Sequence, residues 1–233
     1  MSPEVLALDG ELRRLALGGI RGGWEEVAAQ AVQEQWTYPE FLAALVRLEW
    51  EHRSEGRLAR LVKQAGFPFL KTIEEFDFRF QTTITRPQLG RYLGPELISG
   101  SRNLILWGPP GVGKTALCIA LAYKALQHGA QVRFVTCTEL IQQLTAAQRA
   151  GTWERVLKQA LTPDVLIIDE VGYLGYGPDA ASVLFPVIHQ RYLRGNLPVL
   201  LTTNKNPRQW GRSCTTRSSR GPWWIGCCTT GRS

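Results

Sequence analysis

Gly108-Pro109-Pro110-Gly111-Val112-Gly113-Lys114-Thr115 decides the fold of this chain. The octapeptide fits G-x-x-x-x-G-K-[ST]. It stands between an apolar run, Leu104-Ile105-Leu106-Trp107, and a segment of helical character reaching about His128. That setting of strand, glycine loop and helix gives the pattern its physical meaning. The glycines let backbone N–H groups turn inward around an anion, and the start of the helix adds its positive end. Lys114 is placed to reach the β- and γ-phosphates of a nucleoside triphosphate, and the Thr115 hydroxyl to hold Mg²⁺.

The alternation continues downstream. Val132–Thr136, Val165–Asp169 and Val199–Thr203 are further apolar runs of strand length, with helical segments around 138–150, 152–161 and 179–194 between them. Strands alternating with helices predict a parallel sheet covered by helices, an α/β fold. Asp169 and Glu170 close the third strand, where such sheets bind their ligands. Asp169 is expected to hold Mg²⁺, directly or through water, and Glu170 to polarise an attacking water as general base. Asn204 follows Thr202-Thr203 at the end of the fourth strand and is expected to position that water or sense the γ-phosphate. Arg191 and Arg194 read as solvated charges at a helix end, with service to a neighbouring subunit's nucleotide as the other reading.

Upstream the pattern is helical from about Glu11 to Gln64, with leucines at three- and four-residue intervals, Pro39 in the first turn of the longest helix and Gly66 ending it. Arg53, Arg57 and Arg60 share a face of that helix; they could track phosphates, or pair with Glu49, Glu51 and Glu55 as a salt-bridged surface. Residues 67–100 connect the two zones, and Phe76, Phe78 and Phe80 alternate there as in a strand. The expected divisions are a helical domain over 1–66, a connector over 67–102, a nucleotide-binding core over 103–211 and a tail over 212–233.

Composition bounds the function. The 233 residues carry 27 Lys and Arg against 20 Asp and Glu, a net charge of +7. Four arginines lie in the acid-free last 22 residues, and setting them aside leaves 23 against 20, so the body is only mildly basic. No apolar run reaches membrane-span length and the amino-terminal stretch is broken by Pro3, Glu4 and Asp9, so a cytoplasmic protein without a membrane partner is expected. Cys118 and Cys137 sit in apolar contexts as small hydrophobes, and no cysteine spacing fits a zinc site.

Taken with Gly129–Thr136, Leu166–Leu174, Leu201–Asn204 and Trp210-Gly211, the phosphate loop resembles the IstB family over about residues 10–211. Members of that family are AAA+ ATPases that assist insertion-sequence transposases and are relatives of the DnaC and DnaI helicase loaders. The resemblance implies an AAA+ P-loop fold, ATP with Mg²⁺, a homo-oligomer assembled on double-stranded DNA, and a transposase of the same insertion sequence as partner. Helicase loading is the alternative activity, and a remnant that binds nucleotide without productive hydrolysis is the alternative of another class.

The tail departs from the family pattern, because 212–233 holds almost no aliphatic residues. A frame displaced by one base turns its Cys and Trp codons into codons for Leu, Met or Val, and can spell VLHDEVLAGALVDRLLHHGEV, with helical apolar spacing. The tail is therefore expected to be a frameshift product. A sheet of this type would then lack its last strand, leave residues 103–107 as an open edge, and miss the trans-acting arginine worth about 10³–10⁵ in rate in related hydrolases.

Overall fold

The computed structural model describes residues 3–79, 84–171, 179–195 and 197–206. The chain divides into two compact units, 1–60 and 61–233.

In the first unit the helical periodicity produces α1 (Pro3–Arg14), α2 (Gly18–Gln33) and most of α3 (Tyr38–Ala65), whose last turn belongs to the second unit. Gly19 lets α2 lie directly on α3, since a Cβ there would meet Leu48 O at 2.7 Å and Glu49 Cα at 2.8 Å. The close approach solves a capping problem. Leu17 precedes α2 and offers no side-chain acceptor to the helix's free amides. The buried Glu49 carboxylate supplies it, accepting from Gly19 N–H at 2.8 Å and Ile20 N–H at 3.1 Å. Arg53 donates to the same group at 2.6 Å. Burial alone would raise the Glu49 carboxyl, but Arg53 and the two amides outweigh it and hold the group below its usual value of 4.5. Arg53 is thus committed to a salt bridge within the unit, as the second reading of the arginine stripe expected.

The connector forms no strand among the described residues. Phe76 and Phe78 lie in turns, their rings edge to face with centroids 4.9 Å apart, and Phe80 is outside the described residues. Alternation in so short a stretch does not create a strand without a neighbour to pair with. Two single-turn helices, α4 (Arg86–Leu89) and α5 (Glu96–Ser99), lead into the sheet and bury Leu89 and Leu97.

The core of the second unit is a parallel sheet of β1 (Leu104–Trp107), β2 (Val132–Thr136), β3 (Val165–Val171) and β4 (Val199–Thr203), ordered β1-β4-β3-β2. Helices α6 (Lys114–Gln127), α7 (Cys137–Arg149), α8 (Trp153–Leu161) and α9 (Asp179–Leu193) fill the crossovers. Leu166, Ile168, Val199 and Leu201 pack with Leu140, Leu144, Leu157 and Val187 from α7, α8 and α9. Burial on both faces explains why β3 and β4 are nearly continuous apolar runs. The four expected strands of this unit and the helices between them are present, with β3 running two residues past Asp169. Residues 207–233 lie outside the described residues, and so does the expectation of a frameshifted tail.

Arg191 corrects the sequence reading. It is fully buried rather than solvated. Its Nη1 donates to the carbonyls of Ala160 and Pro163, and its Nη2 to those of Asp164 and Pro198, each at 2.9 Å. The guanidinium closes the C-terminal end of α8 against the segments that enter β3 and β4. Burial pushes it down to about 10, with Asp164 opposing, so it remains charged at neutral pH. A buried side chain so engaged cannot reach a neighbouring subunit's nucleotide. Arg194 is exposed in the turn after α9.

Two outcomes are expected. Because Glu49 titrates below 4.5 in the folded chain, its stabilisation is complete above that pH and fades as the pH falls through the lower folded value. Glu49→Gln should weaken the α2 cap at neutral pH by about 1–2 kcal/mol, read as faster hydrogen exchange at the Gly19 and Ile20 amides, and should flatten that acid dependence. Arg191→Met should lower unfolding stability by at least about 2–3 kcal/mol in denaturant titration, because it strands buried carbonyls. Arg191→Lys should recover only part, since a single ammonium cannot span both pairs.

Candidate nucleotide-binding site

Residues 108–113 link β1 to α6. Gly108 N–H still pairs with Thr203 O at 3.2 Å, so the loop leaves the sheet at a fixed point. Gly111 and Gly113 have φ of +81° and +85°, a region closed to most side chains, and the loop turns on them. At Gly113 space is restricted as well, because a Cβ would stand 3.2 Å from the Phe76 ring. The connector phenylalanine therefore lies against the phosphate loop, a contact its spacing in the sequence does not signal.

Lys114 opens α6, and its ammonium donates to Pro109 O at 2.7 Å, across the mouth of the loop. Burial lowers its basicity, while the charges of Asp169 and Glu170 partly restore it. Thr115 is one residue further on. Its hydroxyl lies 2.9 Å from Asp169 Oδ1 and 3.1 Å from Oδ2. The loop and the end of β3, 54 residues apart in sequence, thus meet at one carboxylate. Asp169 is 5% exposed, a degree of burial that requires partners.

The second partner is Thr202, which the sequence reading passed over in favour of Asn204. Its buried hydroxyl donates to Asp169 Oδ1 and accepts from Glu170 N–H at 2.9 Å. A threonine near the end of the strand beside Asp-Glu was the available signal, but register is not visible before β3 and β4 are paired. The β3–β4 register shifts between Ile168 and Val171, and inside that bulge Glu170 takes φ +61°. The bulge points Glu170 to solvent while Asp169 stays inside. Thr203 closes the bulge, donating to Val171 O at 2.7 Å. Asn204 is exposed immediately after β4, at the same end of the sheet, and no hydrogen bond among the described residues joins it to Asp169 or Glu170. Cys118, behind the site on α6, is fully buried; burial, then the Asp169 charge, pushes its thiol up, so it acts as packing.

The donor set suits a small hard cation. A threonine hydroxyl and a carboxylate at the rim of a phosphate-sized loop are oxygen ligands, and Mg²⁺ takes its remaining positions from water and phosphate. No cluster of three or more His, Cys, Asp or Glu able to hold a metal by itself occurs among the described residues.

A glycine loop at a helix start, a lysine over its mouth, and a hydroxyl–carboxylate pair at the end of the adjoining parallel strand define a P-loop nucleotide-binding domain of AAA+ type. The fold agrees with AMPPCP-bound DnaA from Aquifex aeolicus, at a TM-score of 0.51 and 19% identity over 60% of this chain and 43% of that one. The chain belongs to the IstB-like ATP binding protein family, which matches residues 10–216. It is 38% identical over 200 residues to an insertion sequence IS21 putative ATP-binding protein of Pseudomonas aeruginosa, spanning 86% of this chain and 75% of the relative. It is 35% identical over 198 residues to an insertion sequence IS5376 putative ATP-binding protein of Geobacillus stearothermophilus, spanning 85% and 78%.

Thr202→Val keeps the shape and removes the bridge between Asp169 and Glu170. Nucleotide affinity in the presence of Mg²⁺ should fall by about tenfold or more, while affinity in chelator should change little; Thr202→Ser should restore it. Titration of a fluorescent ADP analogue against Mg²⁺ concentration reads all three.

Proposed function

We propose that this chain binds ATP with Mg²⁺ at residues 108–115, assembles on double-stranded DNA in response, and delivers that DNA to the transposase of an insertion sequence. The observation that carries the nucleotide step is the hydroxyl of Thr115 held on Asp169 beside the loop. In this reading the amides of Gly111, Val112 and Gly113 frame the phosphates, while Gly108 N–H stays on Thr203 O and Pro109 and Pro110 have no N–H to give. Their fixed backbone shapes the loop instead. Lys114 would leave Pro109 O to neutralise the β- and γ-phosphates, and Thr115 and Asp169 would hold Mg²⁺, which would supply further neutralising charge. Glu170, exposed beside the buried Asp169, takes a proton from the attacking water, and Asn204 orients that water from the end of β4.

Assembly on DNA and the transposase partner are supported by the kinship with insertion-sequence ATP-binding proteins. No helix among the described residues is long and apolar enough to cross a membrane. A helicase-loading activity is the second reading and uses the same nucleotide chemistry.

Lys114→Ala should reduce affinity for Mg²⁺·ATP by at least about tenfold and abolish ATP-dependent DNA binding, measured by fluorescence anisotropy with a labelled duplex. Glu170→Gln should retain ATP and DNA binding and lose hydrolysis. Saturable DNA binding by the native chain that is indifferent to ATP would overturn the reading.

A further inference from the structure

β2 ends the sheet on the side away from β1, so one flank of its ladder is unpaired among the described residues. Val165 N–H donates to Gln131 O at 3.0 Å, which fixes the parity. Gln131, Arg133 and Val135 face β3, and Val132 and Phe134 turn their N–H and C=O groups outward. The next outward amide, Thr136 N–H, is taken by Glu139 at 3.0 Å. This flank forms the floor of a groove of about 630 Å³, walled by α8 on one side and by the end of α3 on the other, all within residues of the second unit. Gly66 stands near the Phe134 carbonyl, a Cβ on it falling 3.8 Å from that oxygen, and the Phe67 ring meets Phe134 edge to face.

The lining has two chemistries. Leu61, Val132, Phe134 and Pro163 give it apolar surface, while Arg155 and Lys158 project from successive turns of α8, and no carboxylate lines it among the described residues. Arg133 lines it too; its Nη2 donates to Gln143 at 2.9 Å, whereas its Nη1 is buried with no acceptor. An unpaired strand edge with outward donors and acceptors binds extended chain. Like charges oppose pairing of this edge with the same edge of a second copy. A nucleic acid would meet the cations but has no use for the strand amides or the apolar floor.

We propose that this groove is a docking site for an extended, acidic peptide segment of a partner protein, which adds as a strand beside β2. Main-chain hydrogen bonds to Val132 and Phe134 hold the segment. Alternate apolar side chains rest on Leu61 and Phe134, and its carboxylates meet Arg155 and Lys158. The groove lies on the opposite edge of the sheet from the strand that feeds the phosphate loop, so this inference stands independently of nucleotide binding.

The test uses the full chain and a fluorescein-labelled octapeptide of alternating Glu and Val, with an alternating Lys and Val octapeptide and a labelled DNA duplex for comparison. The Glu-Val peptide should bind saturably in the micromolar range, weaken with salt, and slow hydrogen exchange at the Val132 and Phe134 amides; the Lys-Val peptide should not bind. Arg155→Glu with Lys158→Glu should weaken binding at least about tenfold. Val132→Pro, at the first position of the strand, should do the same by removing one outward donor without touching the β3 ladder. Unchanged binding of a fluorescent ADP analogue shows that each variant is folded. Absence of saturable Glu-Val binding, or equal binding by the double variant, would overturn the proposal; in the first case the cations only guard the edge. Duplex binding that is lost in the double variant, without peptide binding, would overturn it in favour of a nucleic-acid surface.

Discussion

The Asp169 carboxylate, nearly buried and held by the hydroxyls of Thr115 and Thr202, is the constraint on which the rest of the second unit depends. A carboxylate removed from water needs donors, and these come from two other chain segments. Thr115 brings the start of α6 and with it the glycine loop. Thr202 brings β4, which must then lie beside β3. The pairing of β4 with β1 follows, since Gly108 leaves β1 still bonded to Thr203 O. The order β1-β4-β3-β2 is thus the order that lets a loop after the first strand and a carboxylate on the third meet across the fourth.

Much of this was legible in the sequence, for identifiable reasons. The glycine loop is a contiguous pattern whose φ requirements are met by its own residues, and Gly111 and Gly113 take the positive φ values that only glycine adopts freely. β3 and β4 are buried on both faces, so their apolar runs needed no partner to be recognised. Thr115, Asp169 and Glu170 are marked out in the sequence by their neighbours, and the structure brings Thr115 and Asp169 together. What escaped depends on tertiary pairing. Thr202 matters through its register against Asp169, and Arg191 through four carbonyls, three within 160–164 and one at Pro198. Arginine near a helix end is ordinarily a solvated charge, and nothing local distinguishes the exception. Phe76 and Phe78 show the opposite failure: a local alternation that resembles a strand but finds no neighbour to pair with.

Glu49 and Arg191 follow one logic in the two units. Each is a charged group placed where backbone polar groups lack partners: the first amides of α2 in one case, the last carbonyls around α8 in the other. Both are long side chains reaching from a different helix, and both carry the sign that the helix end favours. A local cap would stabilise one helix. These distant caps also fix how two segments pack, so the same hydrogen bonds contribute to secondary and tertiary structure together.

The bulge at Glu170 shows how two adjacent acids acquire different surroundings. In a regular strand the two residues would project to opposite faces of the sheet, and Glu170 would be driven into the helical layer. A φ of +61° costs a non-glycine residue roughly 1–2 kcal/mol. Two hydrogen bonds offset that cost, Glu170 N–H to Thr202 and Thr203 to Val171 O. With the backbone so held, Asp169 remains in the interior beside Thr115, and Glu170 stands at the solvent side. Both threonines belong to β4, whose next residue is Asn204. The same strand thus supplies both hydroxyls that hold the backbone around the two acids.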